Sequence, residues 1–198
     1  MSNNLTGLLA KNMVDLRDAI EDCYDKGRYM PCLVLLYSGI DVAASLEPSS
    51  GTGVGERFTK WVERYMLKNA PLNCTAVDLY AARCAVVHTY TPESDLSRTG
   101  KARLVAYAFG PAQLEKLEEA SALAHQNRQV NVHARQLIDA FYKGIKAYLD
   151  EVETDTSRLQ EIERSASQWT VNMDPKTMDK YLEGKKLLKT QTEDPSPH

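Results

Sequence analysis

The sequence predicts a mainly α protein: an antiparallel helical bundle extended by further helices, with at most one small two-stranded β element. Three observations carry this. Apolar residues recur at three- and four-residue steps in segment after segment, the period of a helix with one buried face. Turn signals such as Gly27, Pro92 and Gly110-Pro111 punctuate those segments. Only two short stretches have strand character. The chain has 198 residues and a net charge of −3, with 43% hydrophobic and 26% charged residues. That is the composition of a folded domain large enough to bury a core without staples.

Leu5 to Lys26 reads as the first helix. Leu5, Leu8, Leu9, Met13, Leu16, Ile20 and Tyr24 form one stripe, Lys11, Asp15, Asp18 and Asp22 lie off it, and Gly27 is the expected C-cap. Tyr29 to Leu46 is apolar nearly all round, which marks the most buried helix, and Pro31 falls in its first turn. Asp41 sits inside that helix and needs a partner if buried; it reads either as a hydrogen-bonded structural carboxylate or as a site residue. Glu47 to Gly55 is a linker. Its GTGVGE lacks the third glycine of a dinucleotide turn, no Gly-Lys-Ser/Thr follows, and no strand precedes it.

Glu56 to Leu67 is a third helix with Phe58, Trp61, Val62, Tyr65 and Met66 inward. Asn73 or Thr75 caps a fourth helix, which runs through Val77, Tyr80, Ala81, Cys84 and Val87 and is stopped by Pro92. Residues 91–102 are turn-rich and carry Arg98 and Lys101, with Arg103 just after. Arg103 to Phe109 and Val130 to Val132 are the two β-like stretches, and Pro111 to Gln126 between them is helical. Leu137 to Val152 is amphipathic, with Leu137, Ile138, Phe141, Ile145, Tyr148, Leu149 and Val152 inward. Thr156 to Trp169 and Pro175 to Leu188 are more polar helices with sparse apolar residues (Leu159, Ile162, Trp169, Met173, Met178, Tyr181, Leu182), suited to docking on the surface or on a second subunit. The reading is one helical domain over 1–189 and a disordered tail over 190–198.

No apolar run is long enough to cross a membrane and no leader pattern opens the chain, so a cytoplasmic protein is expected. A pI near 5.8 excludes nucleic-acid coating by bulk charge but not a local basic patch. Cys23, Cys32, Cys74 and Cys84 lack C-x-x-C spacing and read as buried reduced thiols. With His88, His125, His133 and His198 they make no metal signature, and no cofactor is implied.

One motif suggests chemistry: Arg83-Cys84-Ala85-Val86-Val87-His88, an Arg-x4-His at the end of the fourth helix. With the helices before it, this resembles the HEPN family of small all-helical domains, over residues 5–103, leaving 104–189 as a helical extension. The resemblance implies a metal-independent endoribonuclease with Arg83 and His88 as catalytic residues, often with two subunits pooling their sites. The family often has a polar residue directly after the arginine, where this chain has Cys84. The chemistry is coherent. An RNA 2′-OH attacks the adjacent phosphorus once deprotonated; a histidine moves protons at neutral pH, and an arginine fork meets the phosphorane's charge. Arg98, Lys101 and Arg103 are then phosphate-binding candidates, and Thr89 and Tyr90 accessory hydroxyls.

Five helical residues rotate by about 140°, so Arg83 and His88 do not share a face of an ideal helix. They meet only if the helix ends near His88 or a second subunit completes the site. A homodimer with the fourth helix in its interface near His88 is the expectation that follows. The bland readings are a salt bridge from Arg83 to Asp78 or Glu93, and a helix-terminal histidine on the dipole. A second match, Arg128 to His133, lies in a non-helical context. The alternative function is a non-catalytic helical module that docks another protein.

Overall fold

The computed structural model describes residues 3–47, 53–124, 128–166 and 175–192. The chain divides into two compact units, Met1–Ser167 and Gln168–His198. The first holds α1 (Asn3–Asp25), α2 (Tyr29–Ser45), α3 (Val54–Trp61) running into a π-helical turn (Val62–Leu67), α4 (Ala76–Thr89), and the single-turn α5 (Asp95–Arg98). Strand β1 (Leu104–Ala108), α6 (Leu114–Leu123) and β2 (Gln129–His133) follow, then α7 (Ala134–Glu153) and α8 (Thr156–Ala166). Helix α9 (Pro175–Thr192) belongs to the second unit. It runs into the segment read as a tail; residues 193–198 lie outside the described residues, as do residues 48–52 of the linker, His125, and the apolar side chains of Leu5, Leu8, Leu9, Trp169 and Met173.

Helix α1 ends as its sequence dictates. Gly27 adopts φ +68°, its N–H donates to Tyr24 O (3.0 Å), and the Arg28 N–H donates to Cys23 O (2.8 Å), the paired bonds of a Schellman cap. Helix α2 is the hub, packed against α1, α3, α4 and α7. Leu33, Leu36, Tyr37 and Ile40 are buried in it. Gly39 lets two neighbours close in at once: a Cβ there would stand 2.7 Å from Leu16 Cδ2 and 2.9 Å from Phe141 Cζ.

Phe58, Trp61, Val62, Tyr65 and Met66 are all buried as the helical period requires, although the backbone widens to a π turn between 62 and 67. Asn69 Nδ2 donates to Tyr65 O (2.8 Å) at that turn. Helix α7 closes over it at Gly144, where a Cβ would come within 2.8 Å of Met66 Cγ. The inner face of α7 is Leu137, Ile138, Phe141, Tyr148 and Val152, with Ile145 and Leu149 only half-buried. Helix α8 packs on α7 and α1 through Ile162. It is clamped by Arg158, which donates to Glu47, Glu151 and the Tyr65 hydroxyl.

The two β-like stretches pair as a parallel β1–β2 ladder in the register Leu104↔Gln129 to Ala108↔His133, with α6 as the crossover. Parallel strands need such a crossover, which the helical segment between them supplies. The Tyr107 and Tyr37 hydroxyls, 2.5 Å apart, tie β1 to α2. Among the described residues no helix is long and apolar enough to cross a membrane.

Candidate functional site

Helix α4 carries the site, and its ends fix where the site lies. Thr75 opens it with a capping box: its Oγ1 accepts the Asp78 N–H (3.2 Å) and its N–H donates to Asp78 Oδ2 (2.9 Å). The helix closes at Thr89, and Tyr90 takes the left-handed conformation, φ 55° and ψ 26°. The buried face is Ala76, Leu79, Ala82, Ala85 and Val86 together with Asp78 and Ala81, whereas Val77 is 39% exposed. Alanines and valines on both sides of α4 leave its apolar pattern without a preferred face, so packing against α2 and β1 decides.

Arg83 and His88 meet within one chain. Arg83 Nη1 stands 2.8 Å from His88 Nε2. A guanidinium only donates, so His88 Nε2 accepts and the ring proton sits on Nδ1. The 140° between the two positions is closed by the length of the arginine side chain and by the ending of the helix at Thr89. No second subunit is needed to bring them together.

Asp41 on α2 organises the pair. Its Oδ2 accepts from Arg83 Nε (2.6 Å) and lies 2.5 Å from Nη2. The Arg83 side chain is only 15% exposed. Burial by itself would lower the guanidinium's pKa, but the Asp41 carboxylate outweighs it and holds the group above its ordinary value. Arg83 is therefore a permanent cation, fixed along one edge by Asp41 and touching the exposed His88 with the other. Nε and Nη2 face Asp41, Nη1 faces His88, and the Cys84 thiol also bonds the guanidinium. Asp41 Oδ1 is buried without a hydrogen-bond partner among the described residues. Tyr80, one turn before Cys84, has its hydroxyl pKa raised by burial and by the adjacent Cys84 thiol. A Cβ at Gly55 would stand 2.8 Å from Tyr80 Cε1, so the end of the glycine stretch seats that ring.

The carboxylate beside Arg83 is thus Asp41, not Asp78 or Glu93. Asp78 belongs to Arg103: it accepts from that residue's backbone N–H (2.7 Å), Nε (3.1 Å) and Nη2 (2.7 Å). This places the Arg103 guanidinium at the opposite end of α4, ten residues or about 15 Å from His88. Arg98 pairs with the exposed Asp95 within α5, and Lys101 is exposed. The Thr89 hydroxyl donates to Ala85 O (2.9 Å) and lies 2.6 Å from that of Thr91, so local bonds occupy it. Tyr90 stands free at 60% exposure.

The second Arg-x4-His match does not form a pair. Arg128 donates to Ser97 O (3.0 Å), while His133 Nδ1 accepts the Arg135 N–H (3.2 Å) as the N-cap of α7. The His133 proton is then on Nε2, 3.2 Å from Gly110 O. Cys32 and Cys74 are buried, their thiols pushed up by burial to about 11 and about 12; Cys23 and Cys84 are half-buried. Among the described residues no group of three or more His, Cys, Asp or Glu could hold a metal ion. No family model, curated protein or solved structure matches the chain.

Proposed function

We propose that Asp41, Arg83 and His88 form a phosphodiester-cleaving site that acts on RNA without a metal, and that the chain is a HEPN-like endoribonuclease. The observation that carries this reading is the 2.8 Å contact between a fixed, charged Arg83 and the basic nitrogen of an exposed, neutral His88. A phosphate oxygen accepting from the Nη1 edge of Arg83 brings the adjacent ribose 2′-OH to His88. The hydroxyl displaces the Arg83 N–H from Nε2 and gives its proton to that lone pair. The 2′-oxygen then attacks phosphorus, Arg83 meets the added charge on the phosphorane, and a protonated histidine can return a proton to the departing 5′-oxygen. Asp41 never touches RNA in this scheme; it positions Arg83. Lys101 and Arg98 are the remaining phosphate-holding candidates.

The test is cleavage of end-labelled single-stranded RNA in EDTA. The expected products end in 2′,3′-cyclic phosphate, and His88→Ala loses at least 100-fold in rate, within the range assigned to general acid–base groups, about 10²–10⁴. His88 is exposed, so this variant should unfold at the same midpoint within about 0.5 kcal/mol. Equal cleavage by wild type and His88→Ala, or none by either, removes the catalytic reading. A second reading, a non-catalytic docking module, is favoured by Met178, Tyr181 and Leu182, which lie exposed at i, i+3 and i+4 on α9. RNA-independent self-association lost on Tyr181→Glu would support it.

A further inference from the structure

A cleft of about 420 Å³ opens beside the end of α4, with Tyr90, Thr91 and Pro92 on one side and β1 on the other. Leu104 and Ala106, from one face of β1, line it together with Val105 and Tyr107 from the other. A strand's alternate side chains point to opposite faces, so the cleft follows the backbone of β1, with Gln129 of β2 at its Leu104 end. The edge of β1 away from β2 is open. The Leu104 N–H donates to Arg128 O, which by the alternation of a ladder commits residues 104, 106 and 108 to β2 and turns the backbone N–H and C=O groups of Val105 and Tyr107 outward. Among the described residues none bonds to them.

Tyr90 stands at the mouth. It is the one described non-glycine residue with positive φ, a conformation that strains a tyrosine and that a glycine would adopt freely. Its ring stacks on no described ring, whereas Phe109, which lines the same cleft, is already stacked on Tyr29 at 4.4 Å. The cleft therefore offers an unpaired aromatic face, an apolar floor from Val86 and Met30, and a row of main-chain donors and acceptors. Those are the complements of a nucleobase, which has two apolar faces and a hydrogen-bonding edge. Its volume lies near the lower end for small-ligand clefts, about 300–1,000 Å³. Arg83 and Val86 share a stripe of α4 that runs out at Tyr90, and the seven residues from Arg83 to Tyr90 cover about 10 Å along the axis. One or two nucleotides of extended single-stranded RNA span that step.

We propose that this cleft is a nucleobase subsite: a base adjoining the phosphate held by Arg83 stacks on Tyr90 and is read by the open edge of β1. The inference rests on the RNA-directed reading of Arg83 and His88 and adds the part of the substrate that confers base preference. The test uses the full chain and a fluorescent 2′-O-methyl oligoribonucleotide, which lacks the attacking hydroxyl and reports binding alone. Tyr90→Ala is expected to weaken binding about tenfold and Tyr90→Phe to leave it unchanged, the size of one base–aromatic stack. A set of oligonucleotides, each abasic at one position, should show one position whose loss weakens wild type but not Tyr90→Ala. Equal affinity of wild type and Tyr90→Ala, or an abasic penalty identical in both, overturns the subsite. If RNA cleavage in EDTA still depends on His88 in that case, the nuclease reading stands without it. If wild type neither binds nor cleaves RNA, the reading beneath the subsite falls as well.

Discussion

Replacing Asp78 separates structural from functional arginines on α4. The Asp78 side chain is 3% exposed and accepts four hydrogen bonds: from Thr75 N–H, Arg103 N–H, Arg103 Nε and Arg103 Nη2. Asp78→Ala removes a helix cap, worth about 1 kcal/mol. It also strands the Arg103 backbone N–H, at about 1–3 kcal/mol where water cannot reach it. Arg103 is 42% exposed and can turn to solvent, so its ion pair adds little. The expected loss is about 2–4 kcal/mol, read as a shift of the urea midpoint at unchanged slope. Arg103→Ala keeps the two backbone N–H bonds to Asp78, loses the two from the guanidinium, and should cost about half as much or less. The pH dependence follows the same contacts. Burial on its own would raise the Asp78 pKa, but the Arg103 guanidinium and the Thr75 and Arg103 backbone N–H groups prevail and hold it below the usual aspartate range. A depressed folded-state pKa contributes stability above the unfolded value of about 3.9, lost as pH falls through the folded value. Wild type should therefore lose more stability than Asp78→Ala on acidification below about pH 4. If Asp78→Ala shifts stability by less than about 1 kcal/mol, the carboxylate does not anchor β1 to α4 and the reasoning fails.

Two further substitutions probe the packing around the site. Gly144→Ala, which in an exposed helix would stabilise by nearly 1 kcal/mol, should instead destabilise by about 1–3 kcal/mol in thermal melts, because the new Cβ would lie 2.8 Å from Met66 Cγ and 3.3 Å from Met66 Cα. Asp41→Ala should cost about 2–4 kcal/mol in chemical denaturation, since it leaves the largely buried Arg83 cation without its carboxylate, and RNA cleavage should fall with it under conditions where the variant is still folded.

Much of the fold was legible because it obeys period and punctuation. The run from Tyr29 to Leu46 is apolar on every side and became the hub; Gly27 capped α1; Phe58 to Met66 faced inward even through a π turn that no spacing announces. The face of α4 was not legible. The expected path through Val77 and Tyr80 gave way to Ala76, Leu79, Ala82 and Val86, since an evenly apolar helix takes its orientation from its neighbours. The site divides in the same way. Arg83 and His88 were visible as a spacing, but an ideal helix set them about 140° apart, and only a flexible side chain near a helix end resolves that. Asp41 was conspicuous as a lone charge in an apolar helix, although nothing local named Arg83, 42 residues on, as its partner. Arg103 is the converse case. In a basic loop it looked available, and its buried acceptor lies 25 residues earlier in the chain.

The two ion pairs of α4 use one chemistry in opposite ways, and the difference separates an anchor from a site. At the N-terminal end the carboxylate is the buried member, both Asp78 oxygens are bonded, and the arginine faces outward. The Arg103 guanidinium lies 42% exposed, so its attraction for an incoming anion is screened by water. Toward the other end the arginine is the more deeply held member, pinned along one edge by Asp41, which cannot leave without stranding a charge. That arrangement is a poor source of stability, because desolvation of both groups offsets most of their attraction. It does hold the Nη1 edge of the guanidinium in a fixed direction beside the lone pair of an exposed imidazole. Fixed donors next to a proton acceptor stabilise charge as it develops, without the reorganisation that water would need. The unpartnered Asp41 Oδ1 belongs to the same balance: a buried oxygen left unsatisfied is a cost that the anchor at Asp78 avoids, and it is borne where the arginine has to be aimed.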